Sequence, residues 1–152
     1  YQSPDGFALT LPSTQWEYAP AQGDSRPAFV CRRPHMQAIV QSVSRQQTEA
    51  DFKQFAAEAR DKMGELTHDR SAAKFLEGVN TAGNSYSYCA GVERAADGKT
   101  VFVAHSVVWC PSRKMVVSVL FEGIPRMLSN AGKAAETSAF NAAAEKICMS
   151  VE

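Results

Sequence analysis

The sequence has no excess of charge of either sign. Sixteen Lys and Arg balance sixteen Asp and Glu over 152 residues, so the basic surplus that offsets nucleic-acid phosphates is missing and no nucleic-acid partner is expected. It has no apolar run long enough for a membrane helix. The longest candidate, Met115 to Phe121, is strand-length, far short of the roughly 18 to 20 residues a bilayer demands. It has no H-E-x-x-H or other close pair of metal ligands, no C-x-x-C, no G-x-S-x-G elbow, no Walker A loop and no G-x-G-x-x-G. These absences leave zinc, nucleophile-elbow and nucleotide chemistry without a sequence signature, and no cofactor is implied. Internal repeats and low-complexity tracts are also missing.

What is present is ordinary for one folded domain. Hydrophobic residues make up 45% and charged residues 21%, which argues against wholesale disorder. A chain of 152 residues buries a core of its own without needing disulfides and is read as a single domain over 1–152. The chain opens on Tyr1 and not on Met, which points to a removed segment, a signal peptide or a trimmed leader.

Four cysteines, Cys31, Cys89, Cys110 and Cys148, are scattered along the chain. Zinc sites usually recruit Cys in near-neighbour pairs, so the even, dispersed set suits disulfides better. Buried thiols are the alternative, because Cys packs readily in cores. If the hairpin turns at Asp97-Gly98, Cys89 lies across from Ser106 and Cys110 falls about 13 Å away at strand rise. A disulfide needs Cα atoms within about 7 Å. Cys89–Cys110 is therefore disfavoured, and Cys31–Cys110 with Cys89–Cys148 is the preferred pairing.

Periodicity gives the elements. Phe7, Leu9 and Leu11 alternate with smaller residues, so Gly6 to Leu11 reads as a strand ended by Pro12. Ala28 to Cys31 and Met36 to Ser44 are further strands, joined by a turn at Arg32-Arg33-Pro34-His35. Thr48 with Asp51 three residues on is a capping box. Phe52, Phe55, Ala56, Ala59, Met63 and Leu66 then recur at three- and four-residue steps, the stripe of an amphipathic helix, with Glu58 and Lys62 paired on its polar side. Four strands follow: Lys74 to Val79, Ser85 to Arg94, Thr100 to Cys110 and Lys114 to Glu122. Asp97-Gly98 turns the second into the third. Val101, Val103, Val107 and Trp109 alternate with Phe102, Ala104 and Val108, so the third strand is apolar on both faces, as strands are when both sides of a sheet are covered. After a linker containing Asn130 and Gly132, a last helix near Thr137 to Ser150 carries Phe140, Ala143, Ala144, Ile147 and Val151 inward. The expected fold is α+β, a mostly antiparallel sheet of about six or seven strands sandwiched between two helices.

This pattern resembles the PsbP-like fold and, more narrowly, the small bacterial DcrB-like proteins. The likeness is carried by Gly6-Phe7-Ala8-Leu9-Thr10-Leu11-Pro12 followed by Trp16, by the helix ending near Leu66, and by Gly98-Lys99-Thr100-Val101-Phe102. The Val107 to Phe121 hairpin and the closing Ile147-Cys148-Met149-Ser150 complete it. The resemblance implies a non-enzymatic binding or assembly protein. That group includes periplasmic lipoproteins, photosystem-associated subunits and chaperones that shield hydrophobic segments of secreted effectors, and it shares no catalytic residues to carry over.

Candidate site residues are few. His35, His68 and His105 are dispersed, and His105 reads as a hydrogen-bonded strand residue. His105 and Cys110, five apart on one strand, face opposite sides and make no dyad. Arg32-Arg33 and Arg113-Lys114 form two basic turns that make a cationic patch if they share one end of the sheet, although turns collect charge for backbone reasons alone. Trp16 reads as buried. Tyr18 with the loop beyond it, and the apolar Ile124, Met127 and Leu128 of the second linker, are the better contact candidates. The leading expectation is a periplasmic or secreted protein that works by contact with another protein, such as a toxin inhibitor (an immunity protein) or an envelope accessory factor. The alternatives are a cytosolic chaperone for a hydrophobic effector segment, with an exposed apolar groove, and an enzyme whose site is assembled from distant residues around a deep pocket.

Overall fold

The computed structural model describes residues 1–20, 26–32, 35–66, 73–94, 98–124 and 130–152. Its strands are β1 (Trp16–Ala19), β2 (Ala28–Arg32), β3 (His35–Arg45), β4 (Lys74–Val79), β5 (Ser85–Arg94), β6 (Thr100–Cys110) and β7 (Met115–Gly123), and its helices are α1 (Glu49–Leu66) and α2 (Asn130–Met149). The strands form one seven-stranded sheet in the order β1-β2-β3-β7-β6-β5-β4, with every neighbouring pair antiparallel.

Strand β6 shows why two covers are needed. Val103, Val107 and Trp109 are buried with Phe52, Ala56, Ala59 and Met63 of α1. Phe102, Ala104, Val108 and Cys110 are buried with Phe140, Ala144, Ile147 and Cys148 of α2. Successive side chains point to opposite faces of a strand, so the two helices lie on opposite sides and the expected three-layer sandwich is present. Each large side chain so buried contributes about 1.5 to 3 kcal/mol.

Helix α1 starts where the capping box places it. The Thr48 hydroxyl accepts from the Asp51 amide at 3.3 Å, and the Asp51 carboxylate accepts from the Thr48 amide at 2.7 Å. On its polar side Lys53 pairs with Glu49 at 2.8 Å and Gln54 donates to Glu58 at 2.9 Å. Helix α2 begins seven residues earlier than its periodicity suggested. Asn130 and Gly132 read as a linker, but the Ala, Lys and Glu residues around them are strong helix formers, and one glycine costs only about 1 kcal/mol against that background. Phe140 of α2 rests on β7 at Gly123, where an added Cβ would stand 3.0 Å from the ring. Gly98, at φ +79°, carries the left-handed conformation that the β5–β6 turn requires, while Asp97 lies outside the described residues.

The expected first strand is not one. Residues 6–11 make no ladder, and only an isolated bridge joins Gln2 to Ala8. Phe7, Ala8 and Leu9 are all buried in succession, which alternation on a half-covered strand does not produce. The segment pairs instead with the end of the chain, through Ala8 N to Glu152 O at 2.7 Å and Glu152 N to Ala8 O at 3.0 Å. Phe7 and Leu9 thereby seal the α2 face beside Phe29, Cys31, Met36 and Ala38, while the first strand of the sheet starts at the buried Trp16.

The closing turn of the chain is locked by two buried amides. Asn80 Nδ2 and Asn84 Nδ2 both donate to Val151 O, at 2.9 and 3.0 Å, and Asn80 Oδ1 accepts from the amides of Ala82 and Asn84, each at 3.0 Å. Replacing Asn80 strands a buried backbone donor as well as removing a bond, whereas replacing Asn84 only halves the coverage of one carbonyl. Asn80→Ala is expected to lower unfolding free energy by about 2 to 3 kcal/mol and Asn84→Ala by about 1 kcal/mol. Urea denaturation of the two variants checks the order, and equal losses would show that the Asn80 acceptor plays no part.

Candidate functional site

The two faces of the sheet are covered unequally. On one, α2 and the segment carrying Phe7 and Leu9 complete a continuous core from β1 to β5. On the other, α1 packs on β5 and β6, and among the described residues no element lies over β2, β3 and the outer part of β7. That open half carries Val30, Gln37, Ile39, Leu120, Glu122 and Val101. The ladder sets Val30 opposite Gln37, Gln37 opposite Glu122, and Ile39 opposite Leu120. All six are partly buried, and neither sealed nor fully solvated. Ile124 at the strand end is 42% exposed.

Two shallow depressions lie on this face. The first is lined by Val30, Gln37, Val101, Glu122 and Ile124, with His35 at its edge. Within it Gln37 Nε2 donates to Glu122 Oε2 at 2.6 Å. The second runs beside α1 and is lined by Gln41, Phe55, Glu58, Lys62, His105 and Ser118. Here His105 Nε2 and Ser118 Oγ share a hydrogen bond of 2.6 Å, so His105 is the bonded strand residue its position suggested. Burial, and secondarily the Lys62 ammonium, push its pKa down to about 4, which leaves it neutral and a weak base near pH 7. His68 lies outside the described residues. Among the described residues no three His, Cys, Asp or Glu side chains converge as metal ligands.

The cysteines depart from the disulfide expectation. All four are buried and none is bonded to another. The preferred pairing fails on topology. Cys31 is on β2 and Cys110 on β6, with β3 and β7 between them, roughly 14 Å at ordinary strand spacing. Cys89 packs under α1 whereas Cys148 belongs to the opposite core, so the sheet itself separates them. Cys89 lies opposite His105 rather than Ser106, a one-residue change of register that puts Cys89 and Cys110 on opposite faces. Burial pushes the Cys89 thiol up to about 11 and the Cys148 thiol up to about 12, and raises Cys110 as well.

The two basic turns do not make one patch. Arg32 stands at the β2–β3 end, near Gly123, and Arg113 and Lys114 sit between β6 and β7 at the other end, near Arg45. The length of β3 separates them, roughly 30 Å. Arg32 lies 3.7 Å from the Glu17 carboxylate. Lys114 adopts a left-handed conformation, φ 49°. Tyr18 is 45% exposed and stacks with Tyr1 at 4.9 Å and Phe29 at 5.4 Å, on the face opposite the open half. Arg33, Met127 and Leu128 lie outside the described residues. The open face itself was missed in the sequence, although the half-polar pattern of β3, with Gln37 and Gln41 between apolar neighbours, was its signal. Phe75 and Val79 on edge strand β4 are also exposed, at 45% and 66%, but the Arg60 guanidinium stands 6.0 Å over the Phe75 ring and pairs with Glu77.

Solved structures share this architecture. The Saccharomyces cerevisiae Ran-binding protein Mog1p matches with a TM-score of 0.59 at 15% identity, over 100% of this chain and 93% of that one. LpqN, involved in cell envelope biogenesis of Mycobacterium tuberculosis, matches with a TM-score of 0.54 at 15% identity, over 98% and 84%. A Mog1 point mutant matches at 0.54 and 13% identity. The chain has the Mog1/PsbP-like fold. No family model and no curated protein matches the sequence.

Two outcomes follow from the buried groups. With its thiols buried and, for three of them, raised in pKa, the native protein is expected to resist Ellman's reagent at about pH 8 and to release all four thiols only on unfolding; rapid labelling of the folded protein would contradict the burial. His105 binds a proton more weakly folded (about 4) than unfolded (6.5). Its contribution therefore leaves stability unchanged above about pH 6.5 and removes up to about 3 kcal/mol as pH falls to about 4. Urea melts across that range should show a shallower acid loss in His105→Gln than in the parent, and parallel curves would exclude the effect.

Proposed function

We propose that this chain is a non-enzymatic protein-binding domain whose contact surface is the open half of the sheet. The observation that carries the reading is the unequal covering. Val101 and Leu120 lie at the margin of the α1 core, and the partly buried Val30 and Ile39 continue the apolar surface beyond it; surfaces of that kind on folded proteins mark interaction sites. The chemistry nearby supports binding over catalysis. His105 is a weak base already engaged by Ser118, and the thiols lack the electropositive, accessible setting of a nucleophile.

The finer reading is a DcrB-like protein of the periplasm or cell exterior, serving as an envelope accessory factor or as an inhibitor of a secreted toxin. The envelope role of LpqN and the protein partner of Mog1p support this as analogies of fold. A second reading, a cytosolic chaperone that shields a hydrophobic effector segment, is favoured by the apolar depression together with four cysteines outside any disulfide.

Site-specific photo-crosslinking in the native host tests the surface. A benzophenone side chain at Ile39 is expected to give a discrete higher-mass adduct, and one at Ala142, exposed on α2, none. Mass spectrometry of the adduct then reads the partner's compartment and separates the two readings. No adduct from Ile39, or the same adducts from both positions, would overturn the assignment of this face.

A further inference from the structure

Resting on that reading of the open face, we infer that the partner presents a Lys or Arg side chain set between apolar residues, and that its cation is received by Glu122. The carboxylate stands inside a largely apolar depression, among Val30, Val101 and Ile124, with Gln37 beside it and His35 at the edge. Its Oε2 accepts from Gln37 at 2.6 Å. Among the described residues it takes part in no ion pair, unlike two other carboxylates on this side of the sheet. Glu17 is matched by Arg32 and Glu77 by Arg60.

A carboxylate in half-apolar surroundings is costly to cover unless a cation arrives with the cover. A wholly apolar or acidic segment would bury Glu122 uncompensated, and a segment with a central cation would not. Gln37 fixes one oxygen and leaves the other acceptor for a donor from above, while Val30 and Val101 flank the point of approach. The aliphatic stem of Lys or Arg suits such a site, since it packs on apolar walls and carries its charge to the end.

The probes are capped tripeptides with leucine on either side of arginine, glutamine or glutamate, titrated at millimolar concentration into isotope-labelled protein and followed by amide NMR shifts. The arginine peptide is expected to move the signals of Val30, Gln37, Glu122 and Ile124. It should bind about tenfold more tightly than the glutamine peptide, the effect of one charge-assisted hydrogen bond. The Glu122→Gln variant, with an otherwise unchanged spectrum, should erase that difference. Equal binding of the three peptides, no shifts from any of them, or an arginine preference that survives in Glu122→Gln would overturn the inference. The crosslink from Ile39 is read independently, so a failure here with that adduct present removes the cation and leaves the surface standing.

Discussion

The structure depends on the two-faced burial of β6. A strand that buries Phe102, Ala104 and Val108 on one side and Val103, Val107 and Trp109 on the other cannot sit in a two-layer protein, because one of those rows would face water. It demands a cover on each face, and the described residues supply two helices for a sheet of seven strands. A helix about 10 Å across spans roughly two strands, so two helices cannot cover both faces. The N-terminal segment makes up the difference on one side, where Phe7 and Leu9 are tied to the chain end through Ala8 and Glu152. Nothing described does so on the other. The open half of the sheet thus follows from how few covering elements the described residues provide.

That uneven covering also explains what the sequence showed and what it hid. The amphipathic stripe of α1, its Thr48–Asp51 cap, the Gly98 turn and the double-sided character of β6 are local or strictly periodic, and each appears where the pattern puts it. The Gly6 to Leu11 segment misled because Phe7, Leu9 and Leu11 alternate for a different reason. Two of them are anchors of a lid held by the hydrogen bonds of Ala8 to Glu152 at the far end of the chain, and no local signal reports such a partner. The start of α2 was lost to the turn signals of Asn130 and Gly132, which the helix propensity of the surrounding Ala, Lys and Glu residues outweighs. The polarity of Gln37 and Glu122 was visible, but that the two meet across β3 and β7 is a matter of sheet order, which the sequence alone leaves open.

The cysteines make the same point from the other side. Even number and wide spacing are real features of disulfide frameworks, yet the pairing preferred on strand geometry fails once β3 and β7 are found between Cys31 and Cys110. The four thiols behave as small apolar side chains distributed between both cores. A domain of this length has enough buried area to stand without crosslinks. The even number and wide spacing of the cysteines therefore carry less weight for an exported protein than the composition suggested.

One fold accommodates sequences only 15% identical to this one, and the covering argument says which positions of this chain packing constrains least. Residues under α1 and α2 are constrained from both sides by packing, so that a substitution there leaves cavities or clashes costing several kcal/mol. Val30, Ile39 and Glu122 are constrained chiefly on the sheet side. Their side chains can vary in charge and size while the hydrogen-bonded ladder beneath them stays intact. A half-covered sheet therefore divides the positions of one domain: one set, packed from both sides, holds the strands in order, and the other can change without disturbing that order.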